Sequence, residues 1–282
     1  MNRKEFIRTS AVVAAGSIIL PSCKLGSGNM KPGLQAFSVR NQLREDFEGT
    51  LEYVAKVGYK HIEGFGLGSD GLFRGGITPV HHACVVRDLG MEFIASHCSY
   101  TPAEDARKMV DAAAEAGLEY LVVASVPTSM RTSIDSWKII ADNFNKLGEI
   151  CKRNGLKFAY HNHAFEFEKI DGLIPQELLI ESTEPDLVSF EADLFWVVKG
   201  GYDPLKFLKK YPGRIKLFHV KEATEELEPT TVGEGIIDFR TLFNAGKKDV
   251  LEYYFVEDER KEDPFAQIKA DYDYVSVQKY MR

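Results

Sequence analysis

Cysteine is scarce in this chain: Cys23, Cys84, Cys98 and Cys151 are the only four among 282 residues, and no CxxC spacing occurs. That usage does not support a disulfide framework, although an exported chain could form one pair. The three inner cysteines read as small buried apolar residues. Long hydrophobic runs are missing too. The apolar stretch 11–20 is too short for a bilayer span, which needs about 20 residues. There is no block of lysine or arginine, and the formal net charge is −7. A stripe of cations that could neutralise a phosphate backbone is therefore absent, and nucleic acid is excluded as a partner. The chain also carries no Gly-rich phosphate loop, no Ser-His-Asp set and no cysteine with an identified base, so covalent and phosphoryl-transfer schemes have little support.

What is present begins with an address. Arg3, Lys4 and Arg8 precede the run 11–20, which ends in Leu20-Pro21-Ser22-Cys23. A basic start, a short apolar stretch and a small-residue cleavage region are the parts of an export signal. The last four residues resemble a lipobox, and the start, with Lys4 where a second arginine would stand, resembles a degenerate twin-arginine signal. These readings predict a lipoprotein-type signal over 1–23, lipidation at Cys23, a tether over 24–32 and an exported chain in the periplasm or cell envelope, held to a membrane only by its lipid. Removing 1–23 takes away three bases and one acid, which lowers the net charge from −7 to about −9.

Residues 33–282 suit one domain. Short apolar runs at 33–39, 61–65, 91–96, 120–126, 156–161, 187–192, 215–220 and 253–257 predict strands. Between them, helices are predicted at 46–57, 78–89, 103–116, 133–154, 175–181, 203–211 and 239–245, with a last one after Pro264. The first of these shows the pattern: Phe47, Leu51, Val54 and Ala55 fall on one face at helical spacing. Gly58, Gly90, Gly117 and Gly155 stand where helices must stop and turn into the next strand. Eight alternating units predict an α/β fold, a parallel (β/α)8 TIM barrel.

Four of the later strand ends carry side chains that metals favour: 160–166 with His161, His163 and Glu166; 191–196 with Asp193; 218–222 with His219; and 255–259 with Glu257. The C-terminal ends of barrel strands all open onto one face, so such residues converge there. Carboxylates and imidazoles gathered in a pocket suit one divalent cation with positions left open for a substrate.

The segments Gly33-Leu34-Gln35-Ala36-Phe37-Ser38-Val39-Arg40, Tyr160-His161-Asn162-His163-Ala164-Phe165-Glu166-Phe167, Asp193-Leu194-Phe195-Trp196, His219-Val220-Lys221 and Val232-Gly233-Glu234-Gly235-Ile236-Ile237-Asp238-Phe239 resemble the xylose-isomerase-like sugar phosphate isomerase/epimerase family, in family order and over nearly all of the chain after the tether. The resemblance implies a TIM barrel with one divalent ion held by Glu, Asp, His and Glu from strands five to eight. Carried over by motif, Asp193, His219 and Glu257 are three of the ligands. This sequence departs from the pattern in strand five, where the family's glutamate falls near Tyr160 or His161, so Glu166 is assigned as the fourth. It departs again at Trp196, which replaces a histidine and suits stacking on a sugar face.

Mn²⁺, Zn²⁺, Mg²⁺ and Co²⁺ all accept such ligands. An ion there would bind a sugar carbonyl and its neighbouring hydroxyl and make the C–H between them removable. His161 and His163 are candidate acid/base residues, and Lys221 is a candidate partner for an oxyanion. Glu63, His97, Trp196 and Phe37 are candidate substrate contacts; His81 and His82 fall in a helix and read as solvated. Because phosphorylated sugars are mainly cytoplasmic, an exported member is expected to act on a small non-phosphorylated sugar. The expected activity is a metal-dependent isomerase or epimerase. A lyase or hydratase on 3-keto-glycosides or keto-sugars and a non-catalytic carbohydrate-binding lipoprotein are the alternatives. A nuclease on the same barrel would need more histidines than the seven present and a basic face.

Overall fold

The computed structural model describes residues 30–260 and 262–282. Cys23, the segment 1–23 predicted as an export signal and most of the predicted tether lie outside the described residues. Strands β1 (Gly33–Gln35), β2 (His61–Leu67), β3 (Glu92–Cys98), β4 (Tyr120–Val123), β5 (Lys157–His161), β6 (Val188–Asp193), β7 (Ile215–Val220) and β10 (Tyr253–Val256) close a barrel. Every pair in it is parallel, and β10 returns to β1 through Gly33 opposite Phe255. A two-residue hairpin, β8 (Glu222–Ala223) with β9 (Pro229–Thr230), follows β7.

Helices α1 (Arg40–Glu45), α2 (Phe47–Val57), α3 (Pro79–Asp88), α4 (Arg107–Glu115), α5 (Ile134–Arg153), α6 (Pro175–Glu181), α7 (Leu194–Lys199), α8 (Pro204–Lys210), α9 (Phe239–Asp249) and α10 (Pro264–Val277) connect the strands. Their starts follow from side chains that satisfy the first free N–H groups. Asp46 accepts from Gly49 N at 3.0 Å, Thr78 from His81 N at 3.1 Å with Pro79 behind it, and Ser133 from Ser136 N at 3.2 Å. Gly90 and Gly155 end their units at φ 73° and 78°, a left-handed turn that a Cβ would resist.

The alternation predicted from the sequence is the architecture found. Differences sit at the strand ends nearest the rim. The first strand stops at Gln35, because 36–39 tighten into a 3-10 turn that leads into α1. The α7 helix, which the apolar pattern hid, starts directly after Asp193, whose own Oδ1 caps it at Trp196 N, 2.9 Å away.

The barrel interior is layered by the two-residue repeat of a strand. On β3, β5 and β7 the inward apolar residues Ala95, Ala159 and Leu217 belong to the inner core cluster together with Phe255 of β10. Two residues further on, toward the rim, come His97, His161, His219 and Glu257, all buried. Apolar packing thus forms a floor, and a polar layer rests on it.

Candidate active site

The polar layer has two tiers. In the upper tier His161, Asp193, His219 and Glu257, the ends of four neighbouring strands, bring ligand atoms to within 4.8 Å of one another. His219 Nδ1 faces Glu257 Oε2 at 3.3 Å and Asp193 Oδ2 at 3.8 Å. His161 Nε2 faces the same Asp193 oxygen at 3.5 Å, too long for a good hydrogen bond, and both atoms are buried. Two imidazoles and two carboxylates turned toward a common point, with buried atoms left unsatisfied, fit a divalent cation.

The lower tier orients the upper one. Glu63 Oε2 accepts from His219 Nε2 at 2.7 Å and from Gln35 Nε2 at 2.8 Å. Glu191, two residues before Asp193 on β6, meets His97 Nε2 at 2.8 Å and His219 Nε2 at 3.2 Å. A ligating histidine whose far nitrogen is fixed by a carboxylate has its ring orientation set and its basicity raised. Burial alone would lower His219 and His97, but the carboxylates of Glu191 and Glu63 outweigh it and push both imidazoles above their usual range. Burial raises Glu63, reinforced by Glu191. Against the same burial, His219 and His97 hold Glu191 well below the carboxylate range.

Charge beside the upper tier comes from Lys221, whose side chain is 1% exposed. Its ammonium pairs with Glu259 at 2.9 Å, lies 3.7 Å from Glu257 and sits over the Trp196 ring at 4.8 Å. Burial opposes the charge, yet Glu257 and Asp193 hold Lys221 protonated above its usual pKa. Glu257, which burial would raise, is instead held down at about 2 by Lys221 and His219. His163 packs against His161, Phe165 and Trp196, and burial next to His161 lowers it to about 3, so its imidazole is neutral. Nδ1 of His163 and Nε1 of Trp196 are buried without a hydrogen-bond partner.

The structure places the expected residues as follows. Asp193, His219 and Glu257 come together. Glu166 does not join them, and His161 takes that place. The reason is the end of β5: His161 is the strand's last residue, in register with Glu191, whereas Glu166 lies in a 3-10 turn and folds back to Tyr160 Oη and His163 N. Glu166 is a clamp on the β5–α6 loop; burial lifts its carboxyl to about 7. Glu63 and His97, expected to touch substrate, lie in the lower tier. Trp196 flanks Lys221, and Phe37 lies at the rim against Phe65. His82 is not solvated: it stacks on Phe93 at 4.3 Å. Gln35, Glu191 and Glu259 were not singled out from the sequence, although two-residue spacing from Asp193 and from Glu257 marks the last two.

A family model for the xylose isomerase-like TIM barrel matches residues 51–274. The chain belongs to that family. A crystal structure of a sugar phosphate isomerase/epimerase from Parabacteroides distasonis superposes with a TM-score of 0.82 at 28% identity, over 92% of this chain and 97% of the other. A second structure of that description from the same organism gives 0.78 at 27% identity, over 89% and 100%. An inosose dehydratase from Clostridium tetani is 29% identical over 170 residues, which are 52% of this chain and 54% of that protein. The chain thus spans about half the length of the curated relatives it matches.

Proposed function

We propose that the chain is a metal-dependent enzyme that removes the proton next to the carbonyl of a non-phosphorylated sugar or related keto ring. One observation carries the reading: four neighbouring strand ends bring His161, Asp193, His219 and Glu257 to a common point at the barrel rim. A set with two imidazoles suits Zn²⁺, Co²⁺ or Mn²⁺ better than Mg²⁺, which prefers oxygen and water. The bound ion would supply a Lewis acid for the carbonyl and neighbouring hydroxyl oxygens.

The chain's own groups do the rest. Lys221, fixed by Glu259, is a positive charge set beside the oxygen that gains electron density. We assign the proton transfer to His163, whose buried Nδ1 has no hydrogen-bond partner. The Trp196 indole gives a ring face and an N–H donor to a sugar hydroxyl. Return of the proton to carbon completes an isomerisation or epimerisation; its delivery to the hydroxyl on the next carbon, two bonds from the carbonyl, which then leaves as water, completes a dehydration. The Parabacteroides structures support the first outcome and the Clostridium relative the second; the initial step is shared.

We also place the chain outside the cytoplasm, on a lipid at Cys23, from the order of basic, apolar and Cys-terminated segments in 1–23. Among the described residues no helix is long and apolar enough to cross a membrane. Cys23→Ala should release the protein from the membrane fraction; unchanged association, with no lipid label on the parent, refutes the anchor. For the chemistry, keto-sugars and inososes are screened in D2O. Deuterium should enter at the carbon beside the carbonyl, and His163→Ala should slow turnover by about 10²- to 10⁴-fold with metal still bound. Full retention of the original hydrogen throughout turnover would end the proposal.

A further inference from the structure

On the β1–β2 side of the rim lies a cavity of about 460 Å³ whose wall combines three arginines, Arg40, Arg44 and Arg74, with the rings of Phe47, Phe65 and Phe73. That volume lies within the range of small-molecule sites. Glu45 is the only acid in the wall. Among the described residues no carboxylate pairs with any of the three arginines. Arg40 donates to the Phe37 carbonyl at 2.8 Å and lies over the Phe37 ring, and Arg44 reaches the Asn41 side chain at 3.3 Å. A second mark is His82, which also lines the cavity: it is 5% exposed and its Nε2 has no hydrogen-bond partner. The cavity adjoins the catalytic mouth, because Phe65 stands two residues past Glu63 on β2 and meets Phe37 edge-on at 5.4 Å.

We propose that this cavity is a second sugar subsite that selects a uronic acid residue joined to the ring that reacts. Aromatic faces suit the C–H faces of a pyranose. Guanidinium forks suit its carboxylate, with geometry a lysine would not supply. A buried imidazole is left to meet a ring hydroxyl. The same forks would also accept a phosphate, but three phenylalanine rings would give a phosphate nothing, whereas they match a pyranose. The inference rests on the sugar reading of the neighbouring site, and it names the substrate class that reading leaves open: acidic glycosides.

The test uses a matched pair, phenyl β-D-glucuronide and phenyl β-D-glucoside, which differ only in a carboxylate against a hydroxymethyl group. Calorimetric titration of the full chain should show the glucuronide bound about tenfold more tightly, the scale of one charge-assisted contact. The double variant Arg44→Ala/Arg74→Ala, at two exposed positions, should cut that preference below about threefold, and so should high salt on the parent protein. Equal binding of the pair by the parent, or a preference that survives the double variant with its fold intact by circular dichroism, overturns the proposal. So does displacement of the glucuronide by glucose 6-phosphate at lower concentrations than by glucuronic acid, which would assign the arginines to phosphate. Asp193→Asn protein, measured in parallel, should keep the preference; turnover and metal content of that variant report on the neighbouring site alone, so the two readings fail separately.

Discussion

Replacing Glu63 by Gln tests whether the lower tier holds the upper one. Glu63 never reaches the rim, yet one of its oxygens accepts from both His219 Nε2 and Gln35 Nε2. Gln keeps the shape and an acceptor oxygen, so both donors stay paired and only the charge goes. A hydrogen bond to a charged group contributes about 1.5–3 kcal/mol and a neutral one about 0.5–1.5 kcal/mol. The difference, about 1–1.5 kcal/mol, should appear as roughly a tenfold loss in metal affinity, the lower end of what outer residues of metal sites contribute. Glu63→Ala should behave differently. It leaves two buried donors unpaired and opens a cavity, which costs about 2–5 kcal/mol and lowers Tm by about 5–15 °C. Metal affinity is read by competition with a chromophoric chelator, and Tm by calorimetry on chelator-treated protein. If Glu63→Gln binds metal as tightly as the parent while His219→Ala loses it, the lower tier does not tune the ligand and the two-tier reasoning fails.

Three further outcomes follow from the same geometry. Glu166→Gln should keep full metal content, because this carboxylate is engaged by Tyr160 Oη and His163 N and is not among the four converging side chains; loss of metal in a folded variant would restore it as a ligand. Asp193→Asn should lose metal while keeping the α7 cap, and Asp193→Ala should lose both, with about 1 kcal/mol less stability by denaturant titration; equal stability of the two would deny the cap. Asp271 is fully buried, accepts from Val232 N at 2.8 Å, and is raised to about 8 by burial and by Asp258. A raised folded-state value favours the protonated fold, so this group's contribution is complete below about pH 4, the unfolded value, and is lost as pH climbs through about 8. Asp271→Asn should therefore remove part of the fall in Tm between those limits, and a parallel pair of Tm–pH curves would contradict it.

The barrel was legible in one dimension because its signals are local: two-residue and 3.6-residue periods, caps such as Asp46 and Thr78, and glycines such as Gly155 at helix stops. Three ligand candidates were legible for the same reason. Asp193, His219 and Glu257 each close an apolar strand, and in a parallel barrel a strand end is already a place at the rim. The fourth was not, since Glu166 and His161 are both polar residues near the end of β5, and only the point where the strand stops decides that His161 faces the centre and Glu166 folds back to Tyr160. Glu63 and His97 were legible as polar residues of the pocket, but their pairing into a lower tier was not. Glu63 and His219 are 156 residues apart, and their 2.7 Å contact exists because closure of the barrel sets β2 and β7 across one interior. Residue order fixes which side chains point inward, but the stagger of the closed strands fixes which of them meet, and that stagger is a property of the whole sheet.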